Sequence, residues 1–357
     1  MGFKCGIVGL PNVGKSTLFN ALTTSKKAQA ENFPFCTIDP NVGIVAVPDI
    51  RLNKISSISN SAKTINAAIT FVDIAGLVKG ASKGEGLGNK FLSHVREVDT
   101  IIHLTRCFDS EKIQNVNKNV DPIRDLEIIE TEILLSDLES LQKRLEKNNK
   151  KKLEKDELDF LEECKKSISE GKQPNELEKK YSKDLIKKSA LLSLKPRIIV
   201  CNVDEKSLPN GNKYSNVCKK KFSDENIIIV CADIEDQIMS LQAKYRKDFM
   251  FESGIKSTGL DNLIKTGYRA LGLSTFFTSG PEESRAWTIE KNSKAVDAAG
   301  VIHTDFKKKF IRAETASHED FIKYKGFNEC RNAGKLRLEG KDYLVNDGDV
   351  MYFRVGS

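Results

Sequence analysis

Short apolar runs and amphipathic segments alternate along the first part of the chain. Residues 4–10 form an apolar run before a glycine-containing loop, and residues 15–23 have the spacing of a helix. Similar runs, of strand length and mostly rich in β-branched residues, occupy 68–74, 100–107, 197–201 and 227–232. Such runs with helical patterns between them are typical of parallel strands covered on both faces. The pattern predicts an α/β domain with a mostly parallel sheet.

A long charged segment interrupts this alternation between the runs at 100–107 and 197–201. Within it, Leu134, Leu138, Leu141 and Leu145 recur at spacings of four and three, and a second segment carries Leu158 and Leu161. We therefore predict an antiparallel helical hairpin, inserted at 122–195. Its Lys- and Glu-rich flanks are either solvated helix faces or a surface for a partner.

The pattern changes again after Gly272, where short strands alternate with brief helices. Gly300 is expected to cap one of these helices, and the turn at 346–349 is expected to close a hairpin. The predicted strands are 285–289, 310–314, 343–345 and 350–353. The chain thus divides into an α/β domain (1–121 and 196–275), the helical insertion (122–195) and a small α+β domain (276–357).

Composition excludes several classes of protein. The 357 residues are 39% hydrophobic and 30% charged, and no apolar run approaches the length of about 18 residues that a membrane-spanning helix needs. We expect no membrane association, and the N-terminus has no signal-peptide pattern. The eight cysteines are scattered without a Cys-x-x-Cys pair, which favours reduced thiols in the cytoplasm.

The charge balance is basic but modest. A net charge of +7 suits an acidic partner such as RNA, although lysine-rich surfaces are common without one. Lys307, Lys308 and Lys309 and the lysines of the predicted hairpin either contact RNA or are simply solvated.

The loop after the first predicted strand carries the clearest chemistry. It reads Gly9-Leu10-Pro11-Asn12-Val13-Gly14-Lys15-Ser16, the complete G-x-x-x-x-G-K-S spacing of a phosphate-binding P-loop between a strand and a helix. Backbone N–H groups and the positive helix end hold phosphates there, the lysine reaches the outer phosphates, and the serine binds Mg²⁺. The predicted nucleotide-binding residues are Gly9, Pro11, Asn12, Val13, Gly14, Lys15, Ser16 and Thr17, with Lys15 also catalytic.

Two further segments complete the predicted magnesium site. Asp73 ends an apolar run, where a carboxylate holds Mg²⁺, and Gly76 follows with a backbone N–H for the γ-phosphate. Thr37 supplies a loop hydroxyl that joins the magnesium ligands when a γ-phosphate is bound. We predict Ser16, Thr37 and Asp73 as magnesium ligands, and Gly76 as a catalytic residue in a glycine-rich switch loop.

Two positions depart from the pattern of signalling GTPases. Leu77 stands where those proteins usually carry the glutamine that orients the attacking water. The guanine-reading Asn-Lys-x-Asp sequence is replaced by Asn202-Val203-Asp204-Glu205, which favours ATP, although Asp204 as a shifted aspartate leaves GTP open. The predicted base-pocket residues are Asn202, Val203, Glu205 and Ala232.

Taken together, these motifs resemble the Obg-like ATPases of the YchF type. The resemblance rests on residues 9–16, Phe-Pro-Phe-Cys-Thr at 33–37, Asp-Ile-Ala-Gly-Leu-Val-Lys-Gly-Ala at 73–81 and Asn-x-x-Glu at 202–205. It extends over nearly the whole chain and implies a Ras-like P-loop NTPase domain, the helical insertion and a C-terminal TGS domain of β-grasp fold. It also implies a cytoplasmic protein that binds ribosomes and hydrolyses ATP.

The resemblance raises two points about hydrolysis. Asn12 lies where potassium-activated relatives place a cation-binding asparagine, so K⁺ is a candidate cofactor besides Mg²⁺. Similar family members carry a histidine seven residues after the Arg-Cys-Phe at 106–108, and this chain has Asn115 there. We expect Asn115 to hydrogen-bond the attacking water, which makes it the third predicted catalytic residue with Lys15 and Gly76.

An asparagine at this position cannot carry a proton, which predicts slow hydrolysis. Asn115→His should therefore raise the turnover of ATP, measured as multiple-turnover phosphate release. An unchanged rate in the folded variant would contradict a role for residue 115 in positioning water.

Overall fold

Two mixed sheets organise the chain in a computed structural model that describes residues 3–24, 41–74, 87–111, 119–147, 153–222 and 227–356. The strands are β1 (Lys4–Val8), β2 (Val42–Ala46), β3 (Lys63–Ile65), β4 (Ala68–Asp73), β5 (Thr100–Arg106), β6 (Arg197–Asn202), β7 (Ile227–Val230), β8 (Leu273–Ser279), β9 (Glu283–Glu290), β10 (Phe310–Ala316), β11 (Arg337–Glu339) and β12 (Val350–Val355).

The helices cover the faces of these sheets or extend from them. They are α1 (Lys15–Thr24), α2 (Ile50–Ser59), α3 (Leu87–Glu97), α4 (Pro122–Lys147), α5 (Lys155–Ser169), α6 (Lys183–Ser189), α7 (Lys213–Lys221), α8 (Ala232–Ser240), α9 (Ala243–Glu252), α10 (Gly259–Ala270), α11 (Ala295–Ile302), α12 (Thr304–Lys308), α13 (His318–Lys323) and α14 (Phe327–Asn332). Among the residues that are described, no helix is long and apolar enough to cross a membrane.

The first sheet has the order β2-β4-β1-β5-β6-β7. Only β2 runs antiparallel to its neighbour, and the other pairs are parallel. Every residue of β5 is buried, the polar His103 and Arg106 included, as expected for a central strand that is covered on both faces. Because parallel strands end at one edge, the carboxyl ends of β1, β4 and β6 meet there. The predicted α/β class with a mostly parallel sheet is confirmed.

The predicted helical hairpin is confirmed as α4 and α5. Leu141 and Leu161 lie in its buried core, with Leu134, Leu138 and Leu145 partly buried around them. Asp137 fastens α4 to the chain that returns to the sheet, because its carboxylate accepts hydrogen bonds from the backbone N–H groups of Leu192 and Ser193 at 3.0 and 2.8 Å. Burial raises the pKa of Asp137, and these hydrogen bonds oppose that effect.

The second sheet has the order β11-β10-β12-β8-β9-β3. Its first hairpin, β8–β9, is antiparallel, and β12 lies beside β8 in parallel orientation. Helix α11 packs against β9 and β10 over a core that includes Phe276 and Phe353. This arrangement is that of the predicted β-grasp fold.

Three details of the C-terminal prediction are wrong. Residues 343–345 form no strand but a single bridge between Leu344 and Lys294. The turn at 346–349 closes no hairpin, because it docks on β8: Thr275 N–H donates to Asp347 at 2.8 Å, and Gly348 N–H donates to the Thr275 carbonyl at 2.8 Å. Gly300 lies inside α11 rather than capping it, where a Cβ would lie 3.1 Å from the Lys307 side chain of α12.

A segment near the N-terminus joins the second sheet, which the pattern did not predict. Strand β3 pairs in parallel with β9, and α2 packs against β8 and β9. Arg51 of α2 forms ion pairs with Asp49 and Asp347 at 2.7 Å each and lies over the Phe277 ring. Leu52 and Ile55 of α2 accordingly lie in the same buried cluster as Phe277 of β8. The predicted domain boundaries stay a prediction.

Glu235 of α8 is a buried carboxyl group that couples stability to pH. Its Oε1 accepts a hydrogen bond from Gly259 N–H at 2.5 Å, whereas Oε2 is buried without a partner among the described residues. Burial raises the pKa of Glu235 from 4.5 to about 7, more than its backbone hydrogen bonds lower it. The folded protein thus holds this proton more tightly than the unfolded chain.

We expect the contribution of Glu235 to the free energy of unfolding to fall by about 3 kcal/mol as the pH rises from 5 to 8. The cause is that the carboxyl group of the folded protein must ionise where it is poorly solvated. Glu235→Gln removes this titration. The unfolding free energy of this variant, measured in urea, should decrease less between pH 5 and pH 8 than that of the parent protein. Glu252→Gln, on an exposed part of α9, is the matched control and should keep the parent slope. Parallel slopes for Glu235→Gln and the parent protein would contradict the argument.

Candidate nucleotide-binding site

The glycine loop connects β1 to α1 at the centre of the sheet edge. Asn12 and Gly14 adopt positive φ angles of 65° and 94°, which turn the chain sharply before the helix. A Cβ on Gly9 would lie 2.7 Å from the Leu104 carbonyl oxygen, and one on Gly14 would collide with the Asn202 side chain. Both glycines are therefore required by close contacts with β5 and β6, besides any contact with phosphate.

Lys15 and Asp73 meet at the mouth of this loop. The Nζ atom of Lys15 lies 2.6 Å from Oδ1 of Asp73, and the two side chains are only 13% and 17% exposed. Lys15 begins α1 and Asp73 ends β4, and β4 is paired with β1 in parallel. The sheet thus brings together a lysine and a carboxylate that are 58 positions apart in sequence.

The donor set at this mouth fits a magnesium ion. Ser16, in the first turn of α1, is exposed beside Lys15, and Asp73 offers carboxylate oxygens. Hydroxyl and carboxylate oxygens are ligands that Mg²⁺ prefers, and it keeps several of its own waters. Thr17, also predicted to contact nucleotide, is half-buried on the same turn.

Asn202 links three parts of the site. Its Nδ2 donates to the Val13 carbonyl oxygen at 2.9 Å, and its Oδ1 accepts from Ala232 N–H at 3.0 Å. Asn202 ends β6, Val13 belongs to the glycine loop and Ala232 begins α8, and all three residues are buried. Recognition of the base by Asn202 stays a prediction. In the structure its side chain connects the glycine loop to the start of α8, and we call this connection a brace.

The remaining base-pocket residues follow Asn202 along the chain. Val203 is buried and its N–H donates to the Val230 carbonyl at 2.8 Å. Glu205 is exposed at the start of a short 3₁₀ helix, Glu205–Ser207. The Asp204 carboxylate accepts a hydrogen bond from the Ser207 hydroxyl within the same turn. Asp204 and Glu205 are both exposed, and among the described residues the Glu205 side chain has no such hydrogen bond.

Some predicted residues lie outside the described ranges. These are Thr37, Gly76 and Asn115, together with Leu77 and most of the predicted switch loop. Pro11 and Asn12 are exposed at the tip of the glycine loop. The described part of the chain therefore brings together the loop, Lys15, Ser16, Asp73 and the pocket that begins at Asn202.

Comparison with known proteins finds similar proteins over nearly the full length of the chain. A family model described as a 50S ribosome-binding GTPase matches residues 4–233, and the YchF-GTPase C-terminal family model, described as a protein of unknown function, matches residues 273–356. Ribosome-binding ATPase YchF of Bacillus subtilis is 48% identical over 99% of both chains.

The chain belongs to the YchF family. Ribosome-binding ATPase YchF of Escherichia coli O157:H7 is 47% identical, again over 99% of both chains. A solved structure of the YchF GTPase from Schizosaccharomyces pombe has a TM-score of 0.88 at 39% identity, covering 99% of this chain and 98% of that one. The two sets of YchF names differ in the nucleotide, ATP for the bacterial proteins and GTP for the yeast protein.

Removing the Asn202 side chain tests its role as a brace. Asn202→Ala leaves the Val13 carbonyl and Ala232 N–H without partners, so we expect a stability loss of about 2–4 kcal/mol. Nucleotide affinity should fall at least tenfold, because the loop is no longer held in its binding shape. Asn53→Ala, at an exposed position of α2, is the matched control for equilibrium unfolding and nucleotide titration. Wild-type affinity in a folded Asn202→Ala protein would show that the brace does not position the loop.

Proposed function

We propose that this protein is a ribosome-binding ATPase that binds Mg²⁺-ATP and hydrolyses it to ADP, as a nucleotide-dependent switch in translation. The observation that carries the proposal is the strand–loop–helix site in which Lys15 lies 2.6 Å from Asp73. The names of the bacterial relatives, ribosome-binding ATPases at 47–48% identity, support it.

Phosphate binding falls to the backbone of the glycine loop and the first turn of α1. Their N–H groups, with the positive end of α1, attract the phosphates of the nucleotide. Lys15 then exchanges Asp73 for the outer phosphate oxygens, which frees the carboxylate. Ser16 and Asp73 would hold the magnesium ion, with Thr37 as a proposed additional ligand. When bound, Mg²⁺ neutralises charge that develops on the phosphate oxygens.

The choice of ATP over GTP is argued from the turn after β6. A fixed aspartate reads guanine by accepting two hydrogen bonds from its edge. The Asp204 carboxylate already accepts one hydrogen bond from the Ser207 hydroxyl, with which guanine would compete. Glu205, the residue after Asp204, is exposed and has a longer side chain than an aspartate. Both features support a pocket that tolerates adenine, formed by Asn202, Val203, Glu205 and Ala232.

The hydrolytic step is proposed to depend on residues from three segments. Lys15 stabilises the transferred phosphoryl group, Gly76 N–H binds the γ-phosphate and Asn115 orients water in place of the glutamine that Leu77 replaces. Asn12 is the residue that would hold K⁺, which would supply a further positive charge. An asparagine can orient water without accepting its proton, so we propose slow turnover that a ribosome accelerates.

The cellular setting is proposed from the family and the charge. The family model over residues 4–233 is described as a 50S ribosome-binding GTPase, and the net charge of +7 suits an RNA-rich partner. The hairpin α4–α5 and Lys307–Lys309 are proposed rRNA or ribosomal-protein contacts. A cytoplasmic location follows from a ribosomal partner.

Nucleotide titration of the nucleotide-free protein tests the substrate. With Mg²⁺ and K⁺ present, ATP should bind at least tenfold more tightly than GTP, and Lys15→Ala should lose both. Lys172→Ala, exposed in the chain after α5, is the control and should bind as the parent does. Tighter GTP binding would mean that Asp204 reads guanine. Equal turnover in Na⁺ and K⁺ would exclude the potassium site.

Multiple-turnover phosphate release with purified ribosomes separates an ATPase from a nucleotide-stabilised docking module. We expect a slow basal rate that rises with ribosome concentration. Ribosome binding that depends on nucleotide without any release of phosphate would support the docking module instead.

A further inference from the structure

Three cysteines from distant parts of the sequence converge behind the base pocket. Cys107 follows β5, Cys201 is the penultimate residue of β6 and Cys218 lies on α7. Their sulfur atoms all lie within 4.8 Å of one another, and each residue is fully buried. Sequence spacing gave no sign of this group, because the parallel pairing of β5 with β6 and the packing of α7 create it.

The surroundings of this three-thiol cluster are apolar. Leu126, Ile199 and Val203 are buried in the same core, and no other His, Cys, Asp or Glu among the described residues joins the group. A trigonal ion with metal–sulfur bonds of about 2.3 Å would place its sulfur atoms about 4 Å apart. The cluster is already near that size, so a small ion requires little rearrangement.

We propose that the cluster formed by Cys107, Cys201 and Cys218 binds one soft thiophilic metal ion, Cu(I), through three sulfur ligands. Soft thiolate ligands select Cu(I), whereas Mg²⁺ requires oxygen donors. Zn²⁺ is less suited, because a structural zinc site takes four ligands and the described residues supply three here. Binding of Cu(I) to three thiolates releases three protons to solvent, gives a complex of charge −2 and changes the oxidation state of neither copper nor sulfur.

The cluster is connected to the nucleotide pocket through the backbone. Cys107 N–H donates to the Asn202 carbonyl at 2.8 Å, and Asn212, which caps α7, donates to the Cys107 carbonyl at 2.7 Å. Cys201 directly precedes Asn202. An ion shared by the three sulfur atoms therefore fastens α7 to the strand ends that carry Asn202.

The test is an anaerobic Cu(I) titration of the reduced full-length protein against a competing chelator, bicinchoninate. The Cys36→Ser background removes the one cysteine outside the described residues. We expect one Cu(I) per chain and an X-ray absorption spectrum with three sulfur neighbours only. Cys218→Ala, a substitution that α7 accommodates, should weaken binding at least hundredfold. Cys164→Ala in the hairpin core is the matched buried control and should bind as the background does.

Circular dichroism and urea unfolding first establish that each variant is folded. Cys201→Val is a second variant that lacks one of the three sulfur ligands. Binding in Cys218→Ala and Cys201→Val that equals the background would overturn the proposal. So would nitrogen or oxygen neighbours of copper, or tighter retention of Zn²⁺ than of Cu(I) in the same competition. Failure of nucleotide binding would leave this result unaffected, because the titration contains no nucleotide.

Discussion

The two hydrogen bonds of the Asn202 side chain hold the nucleotide site together. They join the glycine loop after β1, the end of β6 and the start of α8 at one sheet edge. A buried amide that satisfies a carbonyl on one side and an N–H on the other is costly to replace. Gly14 belongs to the same arrangement, since the asparagine fills the space that a Cβ would need.

The sheet edge also explains why the site combines rigid and exchangeable parts. Asn202, Val13 and Ala232 are buried and fixed by backbone partners. Lys15 and Asp73 form a single ion pair that remains partly exposed, and under the proposed function phosphate and magnesium replace each partner. The scaffold is thus preorganised while its charged groups stay available, which is the division of roles that phosphoryl transfer requires.

The two sheets are connected by more than a linker. Strand β3 extends the C-terminal sheet, and Arg51 links α2 to Asp347 in the turn before β12. The nearby hydroxyls of Ser61 and Ser284 lie 2.8 Å apart across the same junction. These contacts fasten α2 and β3, which belong to the N-terminal part of the chain, to the second sheet.

The sequence by itself determined the α/β class, the glycine loop, the helical hairpin and the family, because these depend on local periodicity and contiguous motifs. It failed at Gly300, at the 346–349 turn and at β3, where packing against α12, β8 and β9 decided the conformation. Only the tertiary structure paired Lys15 with Asp73, made Asn202 a brace and assembled Cys107, Cys201 and Cys218. Those contacts join residues far apart in sequence, and parallel strand register together with helix packing, rather than any local pattern, sets which of them meet.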